Sequence, residues 1–214
     1  MSRISCLLVA AAPYQEAAVY KEIVDSAKHV IAVDGGVDLC KTLGRVPQSV
    51  VGDFDSATGE GLSWATAQGS EIIPLQVDKD ESDLDVALGR AISLGFTSTT
   101  VICALSGRLD HTIAAIGAGW NAPPMSLRFW SPEFEGWMLG SDGQDRLCVS
   151  PEGRLVSLLA GPGGAVVTLE GFRYPLLRGK IPGLSSFGIS NLTETSGATI
   201  EVHEGRLMAM LFGA

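Results

Sequence analysis

Short, almost entirely apolar runs alternate with stretches of helical periodicity from the N-terminus to about residue 120. The runs predict buried β-strands and the periodic stretches predict helices. The predicted strands are 6–12, 29–33, 49–51, 71–75 and 99–105. The predicted helices are 14–28, 37–43, 61–68, 84–94 and 112–120. Strands that are apolar on both faces are typical of a parallel sheet covered by helices, so this pattern predicts a three-layer α/β domain.

The pattern changes after Pro123 and Pro124. One more strand is predicted at 125–130, and the glycine-rich stretch 136–144 predicts a loop. Beyond residue 147, short strands separated by turns predict a smaller all-β domain, either a sandwich or a small barrel. Its predicted strands are 155–159, 165–169, 199–202 and 207–212, with turns at 161–164 and 204–205. We place the boundary near residue 140, which makes the expected domains 1–140 and 141–214.

Composition narrows the possible partners. The net charge of −9 argues against nucleic acid, because nucleic-acid binding needs a basic surface. The four cysteines are scattered singly in or beside apolar stretches, which predicts free buried thiols in a reducing cytosol. No run is long and apolar enough to span a membrane, and we interpret the apolar start of the chain as a first core strand and not an export signal.

Two aspartates one residue apart, Asp53 and Asp55, directly follow the third predicted strand. Side chains alternate between the two faces of extended backbone, so both carboxylates are expected on one side and Phe54 on the other, toward the core. Two carboxylates at the end of a strand suit Mg²⁺, which prefers oxygen ligands and shares them with phosphates. The alternative interpretation is a simple turn, since Asp, Gly and Ser commonly form turns.

Acidic residues follow four successive predicted strands. In chain order they are Asp34, Asp53, Asp55, Asp78, Asp80, Asp83 and Asp110. Ligands of open α/β sheets bind beyond the carboxyl ends of the strands, so acids after four strands indicate a shared site. Mg²⁺, Lys79 and Arg108 can supply the counter-charge that so many acids need. An acid directly before a predicted helix, as Asp83 is, can also be a helix cap.

Two common phosphate-binding motifs are absent from the sequence. It contains neither G-x-x-x-x-G-K-[ST] nor a G-x-G-x-x-G that follows a predicted strand. The chain is therefore not a P-loop enzyme, and a dinucleotide-binding fold is weakly supported. His111 follows Asp110, whose carboxylate can orient an imidazole or tune its charge, whereas His29 and His203 have no such setting.

Seven short motifs follow one another in a characteristic order. They are Asp34-Gly35-Gly36; Pro47; Gly52-Asp53-Phe54-Asp55-Ser56; Asp78-Lys79-Asp80 with Ser82-Asp83; Gly107-Arg108-Leu109-Asp110-His111; Gly171-Phe172-Arg173-Tyr174-Pro175-Leu176; and Gly188-Ile189-Ser190-Asn191. Each motif alone is weak, but the ordered set spans nearly the whole chain. This set resembles the thiamin pyrophosphokinase (thiamin diphosphokinase) family.

The resemblance implies an N-terminal α/β catalytic domain and a C-terminal β domain that binds thiamin. It implies a homodimer whose thiamin pocket draws on both subunits, and the cysteine pattern described above predicts a cytoplasmic location. The implied reaction converts ATP and thiamin into AMP and thiamin diphosphate, with Mg²⁺ as cofactor. The thiamin hydroxyl attacks the β-phosphorus, and such a transfer depends mainly on positioning and charge neutralisation.

The resemblance also implies roles for the acidic residues. Asp53, Asp55 and Asp80 are expected to bind Mg²⁺ and take part in catalysis at the phosphates. Asp34 and Asp83 are expected to support them, close to the nucleotide or the metal.

The other expected site residues bind phosphate or thiamin. Lys79 and Arg108 are expected to contact phosphate, and Asp110 to orient Arg108 or His111. Arg108 and Asp110 are also expected to be catalytic residues. Ser190 and Asn191 match the thiamin-side motif, although without the resemblance they are a simple β-turn. The full set expected to bind the nucleotide or thiamin is Asp34, Lys79, Ser82, Asp83, His111, Ser190 and Asn191.

Several positions differ from the family pattern. The glycine-rich lead into Arg-x-Asp-His is replaced by 103–107, where glycines are missing. Ala115 stands where the family has Asn, and Leu192 stands where Glu commonly follows Ser-Asn. Ser82 replaces the commoner Thr and keeps the hydroxyl. The first three differences concern the affinity for substrate more than the phosphate chemistry.

Three other functions fit part of this pattern. A pyrophosphokinase acting on another primary alcohol, such as a hydroxymethyl-pterin, would keep the acidic edge and change the pocket. A glycosyltransferase with an Asp-x-Asp motif would not require Asp80, Asp83 or the Arg108–Asp110 pair. A non-catalytic sensor of nucleotide or thiamin would not need an acid at every position. An assay that measures which of a panel of alcohols gives AMP from ATP distinguishes these functions.

Overall fold

The computed structural model describes residues 4–14, 16–76 and 80–213. The chain divides into two compact units, Met1–Ala118 and Gly119–Ala214. The boundary predicted at residue 140 lies inside the second unit, at the residue where a strand ends. How the catalytic and thiamin-binding tasks divide between the two parts of the chain stays a prediction.

In the first unit, strands alternate with helices. The strands are β1 (Cys6–Val9), β2 (His29–Val33), β3 (Ser49–Gly52), β4 (Glu71–Pro74) and β5 (Ser98–Ile102). The helices are α1 (Lys21–Ser26), α2 (Gly36–Leu43), α3 (Gly59–Ala67), α4 (Asp83–Ser93) and α5 (Leu109–Asn121), with a 3₁₀ helix at Ala17–Tyr20.

The five strands of the first unit form a parallel sheet in the order β5-β1-β2-β3-β4. All four residues of the central strand β1 are buried, as expected for a strand that is covered on both faces. Because the strands are parallel and β2, β3 and β4 are neighbours, the segments that follow them emerge at the same edge of the sheet. The acidic residues after these strands are thereby brought close together.

The second unit is antiparallel. Its strands are β6 (Ser126–Trp130), β7 (Phe134–Gly140), β8 (Arg146–Val149), β9 (Leu155–Glu170), β10 (Leu176–Ile181), β11 (Asn191–Leu192) and β12 (Ala198–Phe212), with a 3₁₀ helix at Ser186–Gly188. Their order is β10-β9-β12-β7-β6, while β8 also pairs with β12 and β11 with β9. The two long strands, β9 and β12, supply most of the buried core of this unit. A parallel α/β part followed by an antiparallel β part confirms the predicted fold class.

Three predicted elements differ from the observed ones. The segment 14–28 holds a 3₁₀ helix and the short helix α1, where one helix was predicted. The predicted loop at 136–144 begins with most of strand β7. A β-carbon on Gly136 would lie 2.0 Å from the Cε of Met208, so this glycine makes room for a packed side chain and does not mark a loop.

The predicted turns at 161–164 and 204–205 do not reverse the chain. They lie within the continuous strands β9 and β12, where the pairing shifts register between Gly205 and Leu207. Turn-forming residues can be accommodated in a long strand as a bulge, which bends the strand without ending it. Four predicted short strands are therefore two long ones.

The cysteines are free, but they are not all buried. Cys6, Cys40 and Cys103 are buried, and burial raises the pKa of each thiol to about 12. Cys148 is exposed on the short strand β8, so the prediction of burial was wrong there. Among the described residues, no helix is long and apolar enough to cross a membrane.

Candidate functional site

Three carboxylates come together at the acidic edge of the first unit. Asp34 directly follows β2, Asp53 directly follows β3, and Asp83 is the first residue of α4. Each offers one carboxylate oxygen, and these three atoms lie within 4.8 Å of one another. Among the described residues, these three form the group with the geometry for holding a metal ion.

The backbone of Asp34 is held in a sterically demanding conformation. Its φ of 49° lies in the left-handed region. Its amide donates to the carbonyl of Val51 at 2.8 Å, which extends the pairing of β2 with β3. A β-carbon on Gly52 would lie 3.0 Å from Asp34 Cα, so the glycine permits this close approach. Non-glycine residues with such a φ are uncommon and cluster at functional sites.

The side chain of Asp34 is buried although it is acidic, and the residue is 9% exposed. Burial raises the pKa of its carboxyl group; a hydrogen bond from Ser56 opposes this shift, and the nearby acids Asp55, Asp83 and Asp53 add to it. Among the described residues, its Oδ1 atom has no hydrogen-bond partner. A buried oxygen without a partner, surrounded by other carboxylates, is the environment that a bound cation would relieve.

The segment from Asp53 to Asp55 is a turn, not extended backbone. Phe54 has a φ of 66°, and the amide of Asp55 donates to Asp53 Oδ1 at 3.1 Å. The expected alternation was therefore wrong: a left-handed residue between the two aspartates breaks it, and Phe54 is only partly buried. Asp53 joins the three-carboxylate group, while Asp55 is exposed and acts on Asp34 through its charge.

Helix α4 begins with a capping box. Ser82 Oγ accepts from the amide of Asp85 at 3.2 Å, and Asp85 Oδ2 accepts from the amide of Ser82 at 3.1 Å. The hydroxyl predicted to bind nucleotide thus caps the helix that carries Asp83. Asp80 is exposed and lies outside the three-carboxylate group. Lys79 lies outside the described residues, as does Asp78.

Arg108 and Asp110 form a bidentate ion pair at the start of α5. Arg108 Nε donates to Asp110 Oδ1 at 3.2 Å, and an Nη atom donates to Oδ2 at 2.6 Å. The hydrogen bond from Arg108 lowers the pKa of Asp110 to about 2. His111 contributes its backbone amide, which donates to Asp110 Oδ1 at 3.0 Å. The Arg108 side chain is 71% exposed, so a phosphate can reach the guanidinium.

Ser190 and Asn191 have different surroundings. Ser190 is exposed with a φ of 60°, and its amide donates to Ser157 Oγ at 3.1 Å. Asn191 is 6% exposed and lies in β11, not at a loop tip. Its Oδ1 accepts from the amides of Tyr174 and Leu192, and its Nδ2 donates to the carbonyl of Tyr174. In this conformation, the Asn191 amide holds the segment before β10.

The predicted metal set and the observed group overlap only at Asp53. The sequence favoured Asp55 and Asp80 as its partners, whereas the structure brings together Asp34 and Asp83. The signal for the observed set was the order of the strands, because Asp34 and Asp83 follow the two neighbours of β3. The sequence marks Ser56 only as part of a motif, whereas in the structure its hydroxyl donates to Asp34.

Comparisons with known proteins agree on one family. The family model described as "Thiamin pyrophosphokinase, catalytic domain" matches residues 20–127. The thiamine pyrophosphokinase of Bacillus subtilis is 25% identical over 189 residues, which cover 83% of this chain and 84% of that protein.

Solved structures share the fold. The structure of the Bacillus subtilis thiamine pyrophosphokinase has a TM-score of 0.82 at 23% identity, and the match covers 97% of this chain and 98% of the Bacillus chain. The thiamin pyrophosphokinase from Candida albicans has a TM-score of 0.78 at 15% identity, and the match covers 99% of this chain and 90% of the Candida chain. The three-carboxylate group lies within the segment matched by the family model. The chain belongs to the thiamin pyrophosphokinase family.

Proposed function

We propose that the chain transfers the pyrophosphoryl group of ATP to the hydroxyl of thiamin, giving thiamin diphosphate and AMP. The observation that carries this proposal is the three-carboxylate group of Asp34, Asp53 and Asp83 within the family-matched segment. Transfer of a pyrophosphoryl group from ATP to a hydroxyl, with AMP as the leaving group, needs positioning and neutralisation of negative charge, and needs no covalent nucleophile.

The donor set fits Mg²⁺. Carboxylate oxygens are the ligands that this hard cation prefers, and the buried Asp34 Oδ1 lacks a hydrogen-bond partner among the described residues. We assign the ion to Asp34, Asp53 and Asp83, with Asp55 close enough to add charge. A bound Mg²⁺ would neutralise phosphate charge during transfer. The predicted ligand Asp80 remains a candidate for a contact that forms only with the nucleotide.

The ion pair at α5 is proposed to bind the transferred phosphates. Arg108 presents a guanidinium that matches phosphate oxygens in two-point geometry. Asp110 holds this guanidinium through two hydrogen bonds, which reduces the freedom it would lose when ATP binds. His111 and Lys79 stay proposed nucleotide contacts on the basis of the family motif.

Thiamin is proposed to bind at the second unit, in a homodimer. Ser190 is the exposed member of the thiamin-side motif, and Asn191 would act by holding the segment at Tyr174. Several large apolar side chains of this unit are exposed, as expected for surfaces that bind a ligand or another subunit. They are Tyr174, Leu177, Leu184, Phe187 and Ile189. The free cysteines support a reducing, cytoplasmic location.

The direct test measures AMP after incubation with ATP, Mg²⁺ and either thiamin or a hydroxymethyl-pterin. We expect AMP with thiamin, and AMP only with the pterin would contradict the proposed substrate. Asp53→Asn should lower turnover by at least a hundredfold, because removing a group that stabilises transition-state charge costs about 3 kcal/mol or more. Asp25→Asn is the matched control, since Asp25 forms an exposed ion pair with Lys21 in α1. Equal turnover of the two folded variants would remove Asp53 from the site.

A further inference from the structure

The hydroxyl of Ser56 bridges the backbone and the side chain of the acidic edge. Its Oγ accepts a hydrogen bond from the amide of Gly35 at 3.1 Å. It also donates to Asp34 Oδ2. A serine hydroxyl has one proton, and an amide N–H can only donate, so the single Ser56 proton is directed to Asp34. This arrangement engages one carboxylate oxygen and leaves the buried Oδ1 for another ligand.

The close approach of Ser56 depends on a glycine. A β-carbon on Gly35 would lie 2.8 Å from both the carbonyl oxygen and the Oγ of Ser56, so a larger residue there would push the serine away. Ser56 also belongs to the loop that begins at Asp53. One side chain therefore connects the loop carrying Asp53 to the residue that carries the neighbouring carboxylate.

We propose that Ser56 is a positioning residue for the metal site: its hydroxyl holds the Asp34 carboxylate in the orientation that binds Mg²⁺. This inference rests on the proposed function, since it assumes that Asp34 is a ligand. In this role Ser56 acts through Asp34, the carboxylate to which its hydroxyl donates. Partners that orient metal ligands in this way commonly change metal affinity by tenfold or more when they are removed.

The test is a titration of the full chain with Mn²⁺, a paramagnetic substitute for Mg²⁺, followed by electron paramagnetic resonance without nucleotide. We expect Ser56→Ala to bind Mn²⁺ about tenfold more weakly than the wild type. Ser56→Thr keeps the hydroxyl at an exposed position and should stay within about threefold of the wild type. Ser63→Ala is the control and should not change the affinity, because Ser63 Oγ donates only within its own helix, to Gly59.

Thermal unfolding with EDTA and with Mg²⁺ separates positioning from stability. A merely structural serine would lower the unfolding temperature equally in both conditions, whereas a positioning serine reduces the increase that Mg²⁺ produces. Wild-type affinity in Ser56→Ala, together with lost affinity in Asp34→Asn, would overturn the positioning role and leave the proposed function intact. Absence of metal binding in the wild type would overturn both.

Discussion

Asp34 combines three features that oppose stability. It has a left-handed φ, its carboxyl group is buried, and its Oδ1 has no hydrogen-bond partner among the described residues. Neighbouring acids add repulsion to the desolvation of this group. Such costs persist where surrounding structure enforces them, and they prepare a site for a ligand that relieves them.

The raised pKa of Asp34 sets the sign of a pH effect. Because the folded chain holds this proton more tightly than the unfolded chain, stability falls as pH rises above the ordinary aspartate value of 3.8 and through the raised pKa. Asp34→Asn removes this loss of stability with rising pH, and the side-chain amide of the new asparagine can donate to a neighbouring carboxylate. We therefore expect the variant to be more stable than the wild type at pH 7 without Mg²⁺, by about 1–3 kcal/mol.

Urea unfolding between pH 4 and pH 7 measures this difference, which should grow with pH. Asp25→Asn provides the comparison, since Asp25 is an exposed partner of Lys21. Adding Mg²⁺ should stabilise the wild type and leave Asp34→Asn unchanged, because the ion binds only the folded site. A pH-independent difference would show that the carboxyl group is not penalised by burial.

At the scale of elements, helices α2 and α3 hold the far end of the loop that carries Asp53. Thr58 is the N-cap of α3, and its Oγ1 accepts from the amide of Gly61 at 3.0 Å. Thr58 donates its amide to Asp38 Oδ2 at 3.0 Å, and its hydroxyl to Asp38 Oδ1. Asp38 lies in α2, so the loop is attached to α2 through Thr58, and through Ser56 to Gly35, the N-cap residue of α2.

Gly61→Ala tests this attachment. Replacing a glycine inside a helix by alanine usually stabilises by about 0.5–1 kcal/mol. Here the new β-carbon would lie 2.1 Å from Asp38 Oδ1, so the carboxylate must move away from Thr58. We expect Gly61→Ala to destabilise the chain by roughly 1–3 kcal/mol, as overpacking does.

Gly89→Ala is the matched control, because a β-carbon at this position of helix α4 would meet no neighbouring atom within 4 Å. Like most glycine-to-alanine substitutions inside helices, Gly89→Ala should raise the free energy of unfolding by about 0.5–1 kcal/mol. Thermal unfolding of both variants without metal measures the contrast. Similar stabilisation by both substitutions would mean that Asp38 can move without loss and does not hold the loop.

At the scale of the molecule, the three-carboxylate group and the exposed apolar side chains around β10 lie in different units. The three-carboxylate group belongs to the first unit, and the exposed apolar side chains around β10 belong to the second. A homodimer with shared pockets, as we propose, would let one subunit supply the acids and its partner supply thiamin contacts.

Co-expression of Asp53→Asn and Asn191→Ala chains tests this sharing. Asn191→Ala should weaken thiamin binding about tenfold through the lost support of Tyr174. Random pairing makes about half of the dimers hybrids of the two variants. If pockets are shared, one of the two sites in each hybrid has two undamaged halves, so about a quarter of all sites are intact. Turnover at low thiamin should then exceed the sum of the separate variants. Simple additivity, with both variants folded by circular dichroism, would mean that each pocket is completed within one chain.

Local sequence was enough to predict the alternation of strands and helices in the first unit and the family of the chain. The length of an apolar run, the helical period and a glycine after a helix are local properties, and the residues between them are those that form turns. The acids at 34, 53 and 83 are recognisable from the sequence for the same reason, since each stands where a strand or a loop ends.

The tertiary structure decided which acidic side chains come together and which turn-forming residues lie inside a continuous strand. Asp34 and Asp83 approach Asp53 because β2 and β4 flank β3, while Asp55, which follows a left-handed Phe54, lies outside the group. The Gly-Pro-Gly-Gly stretch at 161–164 stays within β9 because β12 pairs with β9 on both sides of it. Strand neighbours and register depend on residues that are distant in the chain, and no short window of sequence contains them.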